Sequence, residues 1–295
     1  MKLLRDLMAY AAVRVVLLAC SLLPLRLARG MGRAAGRLVH RLGHRSIRIA
    51  SRNLELAFPE QPLAARQALL ADSLQATGGL IAEMGLLWCA RPESALAKVE
   101  SVTGADLLDR GGQQGLLVMS PHLGNWELLC IWLAVHGPIT VMYERSDPER
   151  LAEWIRGRRA RNGARLVTAD RGGVRAMYRA LRAGETVGLL PDQVPSRLSG
   201  VHVPFFAADA LTMTLVRRLL RSTGARAVFG SARRTQSGFA LAFTDSHGLD
   251  DEDPLVAARA LNSGLERCIL EAPEQYQWVY KRYKRASDGR RVYGE

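Results

Sequence analysis

Cysteine is scarce and scattered in this 295-residue chain. Cys20, Cys89, Cys130 and Cys268 form no C-x-x-C pair, which argues against a zinc site and a disulfide framework and suits a reducing compartment. The sequence also lacks a metal-ligand cluster, a phosphate-cradling glycine loop and a dinucleotide fingerprint, so no bound cofactor is expected. Gly111 with Gly112, and Gly172 with Gly173, read as ordinary turn pairs. Without internal repeats or low-complexity linkers, one compact α/β body plus a short terminal extension suits the length best.

Acidic residues are in deficit: 28 Asp plus Glu stand against 41 Lys plus Arg, a formal net charge of +13. That excess favours acidic partners, whether nucleic acid, anionic lipid or an acidic carrier protein. Residues 7–25 narrow the choice, being almost continuously apolar and broken only by Tyr10, Arg14, Ser21 and Pro24. Nine Leu and Val residues there contribute roughly −3 to −5 kcal/mol towards insertion, and Arg14 costs about 2.5 to 3.5 kcal/mol. Spanning is therefore only marginally favourable. The segment is either a short anchor with Arg14 snorkelling or a helix lying in the interface. Met1, Lys2 and Arg5 ahead of it also suit a signal peptide, but dense arginine follows at once, which favours an uncleaved anchor. The expected organisation is a membrane anchor over residues 1–30 and a folded domain over residues 31–295 on the cytoplasmic face. Trp278, Tyr280 and Tyr283 amid Lys281, Arg282 and Lys284 would suit nucleic-acid stacking or a membrane interface, and the apolar N-terminus decides for the membrane.

Arginines recur at steps of three or four from Arg26 to Arg52, the spacing of one helical face. Gly30, Gly32, Gly36 and Gly43 predict that this stretch is a broken pair of helices. Apolar periodicity over residues 62–90 predicts a second helix pair. An α/β alternation follows. Strands are expected over 115–120, 165–168, 186–190, 227–232 and 239–243, and helices over 127–136, 173–183, 211–222 and 254–272.

The sharpest chemical signal is Pro121-His122-Leu123-Gly124-Asn125-Trp126-Glu127, between an expected buried strand and its helix. Ligands of open α/β sheets gather beyond the carboxyl ends of the strands, so His122 should face a site. Gly124 would let the turn tighten until Glu127 reaches the imidazole, fixing its tautomer and stabilising the imidazolium. His122 could then take a proton from an acceptor hydroxyl. Asp192 and Gln193 end another expected strand and are similarly suited to a site, with a turn cap as their alternative.

The His122 block resembles the acyl-acceptor motif of glycerolipid and lipid A acyltransferases. Further blocks follow the order of the lipid A group: Arg48-Ile49-Ala50-Ser51-Arg52-Asn53-Leu54 with Phe58-Pro59-Glu60, residues 184–193, Val203-Pro204-Phe205-Phe206, and Ala272-Pro273-Glu274-Gln275-Tyr276-Gln277-Trp278. On these the chain is identified as a member of the lauroyl or myristoyl acyltransferases of lipid A biosynthesis, within the lysophospholipid acyltransferase-like superfamily. Two departures stand out. Ala207 replaces a common Gly, and Tyr280-Lys281-Arg282-Tyr283-Lys284 stands where the family commonly carries H-R-R-F/W-K.

The resemblance implies a glycerolipid-acyltransferase-like mixed sheet flanked by helices. It also implies transfer of a fatty acyl chain from acyl carrier protein to a hydroxyl of an acyl chain on a phosphorylated glucosamine disaccharide, at the bacterial inner membrane. His122 would be the general base and Glu127 its orienter. Oxyanion stabilisation is expected from among Arg156, Arg158, Arg159 and Arg161, with Arg159 the choice. Two alternatives stay open: the same chemistry on a glycerolipid, mannoside or amine, and a non-enzymatic basic protein that binds anionic lipid.

Overall fold

In the computed structural model, which describes residues 2–43, 45–109, 114–143 and 149–293, Pro24 splits the apolar N-terminal run between two helices. These are α1 (Lys2–Ser21) and α2 (Leu25–Arg41). Proline has no amide to continue α1, and it sits instead at the N-cap of α2. The helical part of the run that lies in α1, residues 7–21, is about 22 Å long at 1.5 Å per residue, short of a hydrocarbon core of roughly 30 Å. No helix of the described residues is long and apolar enough to cross a membrane, so the expected single N-terminal anchor is not supported. The boundary drawn at residue 30 falls inside α2.

The basic stretch does break near Gly43, between α2 and α3 (Arg45–Ala57). Gly30, Gly32 and Gly36 do not interrupt α2, and the expected helix pair over residues 62–90 is one helix, α4 (Leu63–Cys89). Close packing accounts for both. A Cβ on Gly32 would lie 2.3 Å from the Gly78 carbonyl oxygen, and one on Gly78 would lie 2.0 Å from that of Gly32. The glycines lower helix propensity by about 1 kcal/mol each, but they let α2 and α4 touch backbone to backbone.

The remaining elements are α5 (Pro92–Leu96), β1 (Val99–Thr103), β2 (Leu116–Met119), α6 (Trp126–Val135), β3 (Ile139–Tyr143), α7 (Glu149–Arg161), β4 (Ala164–Thr168) and α8 (Arg171–Arg182). They continue with β5 (Thr186–Leu189), β6 (Gly200–Phe205), β7 (Ala208–Met213), α9 (Leu215–Thr223), β8 (Arg226–Arg234), β9 (Phe239–Asp245) and α10 (Pro254–Leu270). Gly111 and Gly112 lie outside the described residues. Gly172 and Gly173 form the first turn of α8, where the Gly173 amide donates to the capping carboxylate of Asp170 at 2.9 Å. The helix expected from residue 211 starts only at Leu215. Residues 211–213 belong to β7, which pairs antiparallel with β6.

Seven strands form one sheet in the order β1-β9-β8-β2-β5-β3-β4, and only the β8–β9 pair is antiparallel. Alternation along β2 divides the core. Leu117 and Met119 face one layer with α3, α8, α9 and α10, whereas Leu116 and Val118 face another with α6 and the end of α4. A mixed α/β sheet flanked by helices is thus the architecture. Its central strands β2 and β5 are neighbours, and their carboxyl ends bring the His122 turn beside the Asp192 turn.

Candidate active site

The His122 turn is held by main-chain bonds on two sides. The Gln277 amide donates to the His122 carbonyl at 3.0 Å, and the Gly124 amide donates to that of Gln275 at 3.1 Å. The Ala272-to-Trp278 block therefore clamps the turn. Gly124 has φ +59°, and a Cβ there would lie 2.1 Å from the Ala232 oxygen. Asn125 then caps α6, its side-chain oxygen accepting from the Leu128 amide at 3.1 Å.

His122 meets Asp192, and no hydrogen bond joins it to Glu127 among the described residues. The Asp192 carboxylate takes the imidazole Nδ1 at 2.7 Å through one oxygen and the His122 amide at 2.9 Å through the other. A carboxylate only accepts, so Nδ1 carries the proton and Nε2 presents its lone pair. Gln193 Nε2 stands 3.3 Å from that lone pair as a donor, and the Trp126 ring packs edgewise on the imidazole at 5.0 Å. Asp192 is 2% exposed. Burial alone would raise its carboxyl, but the pull of the His122 imidazole, the bonds from His122 and the Arg282 guanidinium outweigh this and hold it below the usual range. Behind it, burial and the Asp192 charge push the Tyr276 hydroxyl well above its ordinary value.

Glu127, in the first turn of α6, turns towards α7. Its carboxylate accepts from Arg159 Nε at 2.9 and 3.0 Å, makes a second short contact with the same guanidinium, and takes the Trp88 indole at 3.4 Å. Burial would lower the Arg159 guanidinium, and Glu127 more than offsets this, so it stays charged. Of the four arginines considered on α7, Arg156 and Arg159 line the adjoining cavity. Arg158 lies over the Trp154 ring, and Arg161 donates to the carbonyl of Ala90 at 2.9 Å.

That cavity has a volume of about 690 Å³. His122, Glu127, Arg159 and Gln193 are among its lining residues. It runs between the sheet and the face of α6 carrying Leu129, Cys130 and Leu133. Val118, Gly188 and Val141 stand in register on the three neighbouring strands and form its sheet wall, with Ile139, the first residue of β3, beyond them. The wall is apolar. Burial pushes the Cys130 thiol up to about 12, so this cysteine is a packing group at neutral pH.

Sequence reasoning missed three features. One is the His122–Asp192 bond, whose signal was the pair of adjacent strand ends. Another is a buried charge cluster around Glu83, which a lone acid amid the apolar residues 80–87 could have announced. The last is that the motif blocks converge: Phe58, Phe206 and Trp278 pack edge-on or tilted, with ring centroids 5.0 to 5.7 Å apart. Tyr280, in place of the common histidine, accepts the Val194 amide at 3.0 Å and so steadies the segment after Gln193.

The model of the bacterial lipid A biosynthesis acyltransferase family matches residues 2–285. A lipid A biosynthesis acyltransferase of Haemophilus influenzae is 31% identical over 90% of this chain and 87% of its own. The lipid A biosynthesis palmitoleoyltransferase of Escherichia coli is 32% identical, covering 80% and 78%, and the lauroyltransferase of the same organism is 31% identical, covering 88% and 86%. The chain belongs to the bacterial lipid A biosynthesis acyltransferase family.

Proposed function

We propose that this protein moves a fatty acyl chain from a carrier-protein thioester to a hydroxyl of a phosphorylated glucosamine-disaccharide lipid. The observation that carries the reading is His122 bonded to the buried carboxylate of Asp192 beside a cavity with an apolar sheet wall, in a chain of this family. His122 Nε2 takes the proton of the acceptor hydroxyl, which displaces the Gln193 amide from the lone pair. The oxygen attacks the thioester carbonyl, forming a C–O bond and an oxyanion. Collapse breaks the C–S bond, and the departing thiolate takes the proton from the imidazolium. Asp192 stabilises that imidazolium throughout. Arg159, clamped by Glu127, supplies positive charge to the oxyanion, so Glu127 acts on the guanidinium rather than on the imidazole.

The apolar cavity suits the acyl chain. The four steps from Ile139 to Tyr143 measure about 13 Å, roughly ten carbons of an extended chain built on bonds near 1.5 Å. Gly188 keeps the middle open, since a Cβ there would only reach ordinary contact with Ile139 and Val141 at 3.4 Å. Gly188→Leu should therefore fold and prefer acyl donors shorter by roughly five carbons, one two-residue step of strand, when chain preference is read with a donor series. An unchanged preference would move the acyl site elsewhere.

Membrane contact fits α1 and α2 lying in the interface. Val15, Val16, Leu18, Leu22, Leu27, Met31, Leu38 and Leu42 are exposed, while Arg33, Arg37 and Arg41 supply charge for anionic headgroups. The net charge of +13 suits an acidic carrier protein. Deleting the gene should lower the mass of lipid A by one acyl chain. Unchanged lipid A with another lipid altered would favour a different acceptor, the reading that Tyr280 in place of histidine supports.

A further inference from the structure

Glu83, in the apolar second half of α4, is fully buried at 0% exposure. One carboxylate oxygen takes Arg29 Nε of α2 at 2.5 Å and lies 3.5 Å from Arg234 Nε at the end of β8. The other accepts from the side-chain amide of Asn125 at 2.9 Å. Asn125 is the residue that caps α6 between His122 and Glu127, and its own amide donates to Ala232 at 2.7 Å. Arg29 reaches on to the carbonyls of Thr235 and Gly238, both at 2.9 Å. The transfer chemistry uses none of these groups, yet burying a carboxylate with two guanidiniums is costly unless every partner is met.

The geometry points to Glu83 as a positioning residue of the transfer site, acting through Asn125 and tying α2 to the His122 turn. An asparagine cap needs only its oxygen for the helix. Its nitrogen is free to be fixed from outside, and Glu83 fixes it, so the rotamer of Asn125 sets where His122 and Glu127 leave the turn. A displacement near 1 Å costs about 100-fold in rate, which gives such a contact leverage out of proportion to its own strength. The inference rests on reading His122 and Glu127 as the transfer site.

Reversing the polarity of the contact tests it in the full-length protein in detergent micelles. Asn125→Asp still caps α6, since aspartate accepts from the Leu128 amide equally well, but it faces Glu83 with a second carboxylate. Its kcat should fall about 100-fold while KM for the acyl donor stays within about threefold. Adding Glu83→Gln restores one donor and one acceptor across the contact: its amide nitrogen donates to the new carboxylate, its oxygen still accepts from Arg29, and one carboxylate, now at position 125, remains in the cluster. The double variant should return to within about fivefold of the unaltered rate. Asn125→Ser, a good cap with a shorter arm, adds no charge and covers the case in which Asn125→Asp does not fold. It should lose about tenfold in kcat. Hydrogen exchange over residues 123–128 gives a second readout: faster in each single Asn125 variant and restored in the double. Unaltered kcat and exchange in a folded Asn125 variant, or a folded double variant as slow as Asn125→Asp, would overturn the proposal. Should the unaltered protein transfer no acyl chain, the functional reading falls, and the exchange data still decide the positioning.

Discussion

Asp192→Asn lowers kcat by about 10³- to 10⁴-fold and leaves the protein folded. The size of the effect follows from which way the new amide must face. The His122 main-chain amide donates to one oxygen of Asp192 at 2.9 Å, so the asparagine oxygen stays on that side. Its NH₂ then points at Nδ1, 2.7 Å away, and can only donate. Nδ1 is forced to accept, Nε2 takes the proton, and the lone pair that should receive the substrate proton is gone. Glu127→Gln leaves this tautomer untouched and disturbs Arg159 instead, so its loss should be smaller, about 10² in kcat. Steady-state kinetics on the purified variants distinguishes the two residues. A Glu127 variant slower than the Asp192 variant would return the orienting role to Glu127.

Asn53→Ala is expected to give the largest loss of stability, about 3–5 kcal/mol, or roughly 6–10 °C in Tm. Asn53 is 1% exposed and donates to the carbonyls of Trp278 and Tyr280 at 2.5 and 2.6 Å, while its oxygen accepts from the Tyr293 hydroxyl. Truncation orphans all three partners in the core. Activity should fall with stability, because Tyr280 holds the Val194 amide beside Gln193 and the preceding residues 275–277 clamp the His122 turn. Asn53→Asp keeps the bond from Tyr293 but cannot donate to the two carbonyls, so thermal unfolding should show it little better than alanine. A Tm within a degree or two of the unaltered protein would show that the Arg48-to-Leu54 block is held by something else.

Much of the central strand–turn–helix unit was legible in the sequence, because β2 is a continuous apolar run and α6 follows a residue that caps helices. The partner of His122 was not. Spacing brings Glu127 within reach of the imidazole, but Asp192 reaches it through the pairing of β5 with β2, which no local pattern encodes. Glu127 turns away because α7 brings Arg159 against it, again a contact between distant segments. Residues 211–213 look helical by periodicity, and β6 recruits them as a strand, with buried Thr212 donating to Asn262 at 3.1 Å. Gly32 reads as a helix breaker until Gly78 is seen against it. Pro24 is visible in the sequence, and by ending the helical run it leaves the apolar segment of α1 short of a membrane-spanning length.

Mass spectrometry of a single reaction tests the central claim most directly. The purified full-length protein is given an acyl carrier protein thioester and a tetra-acylated, phosphorylated glucosamine disaccharide, and His122→Ala is run beside it. The unaltered protein should convert the disaccharide to a species heavier by one acyl chain, and the variant should leave it unchanged. A His122→Ala protein that forms the heavier lipid at the full rate would contradict the assignment of this site.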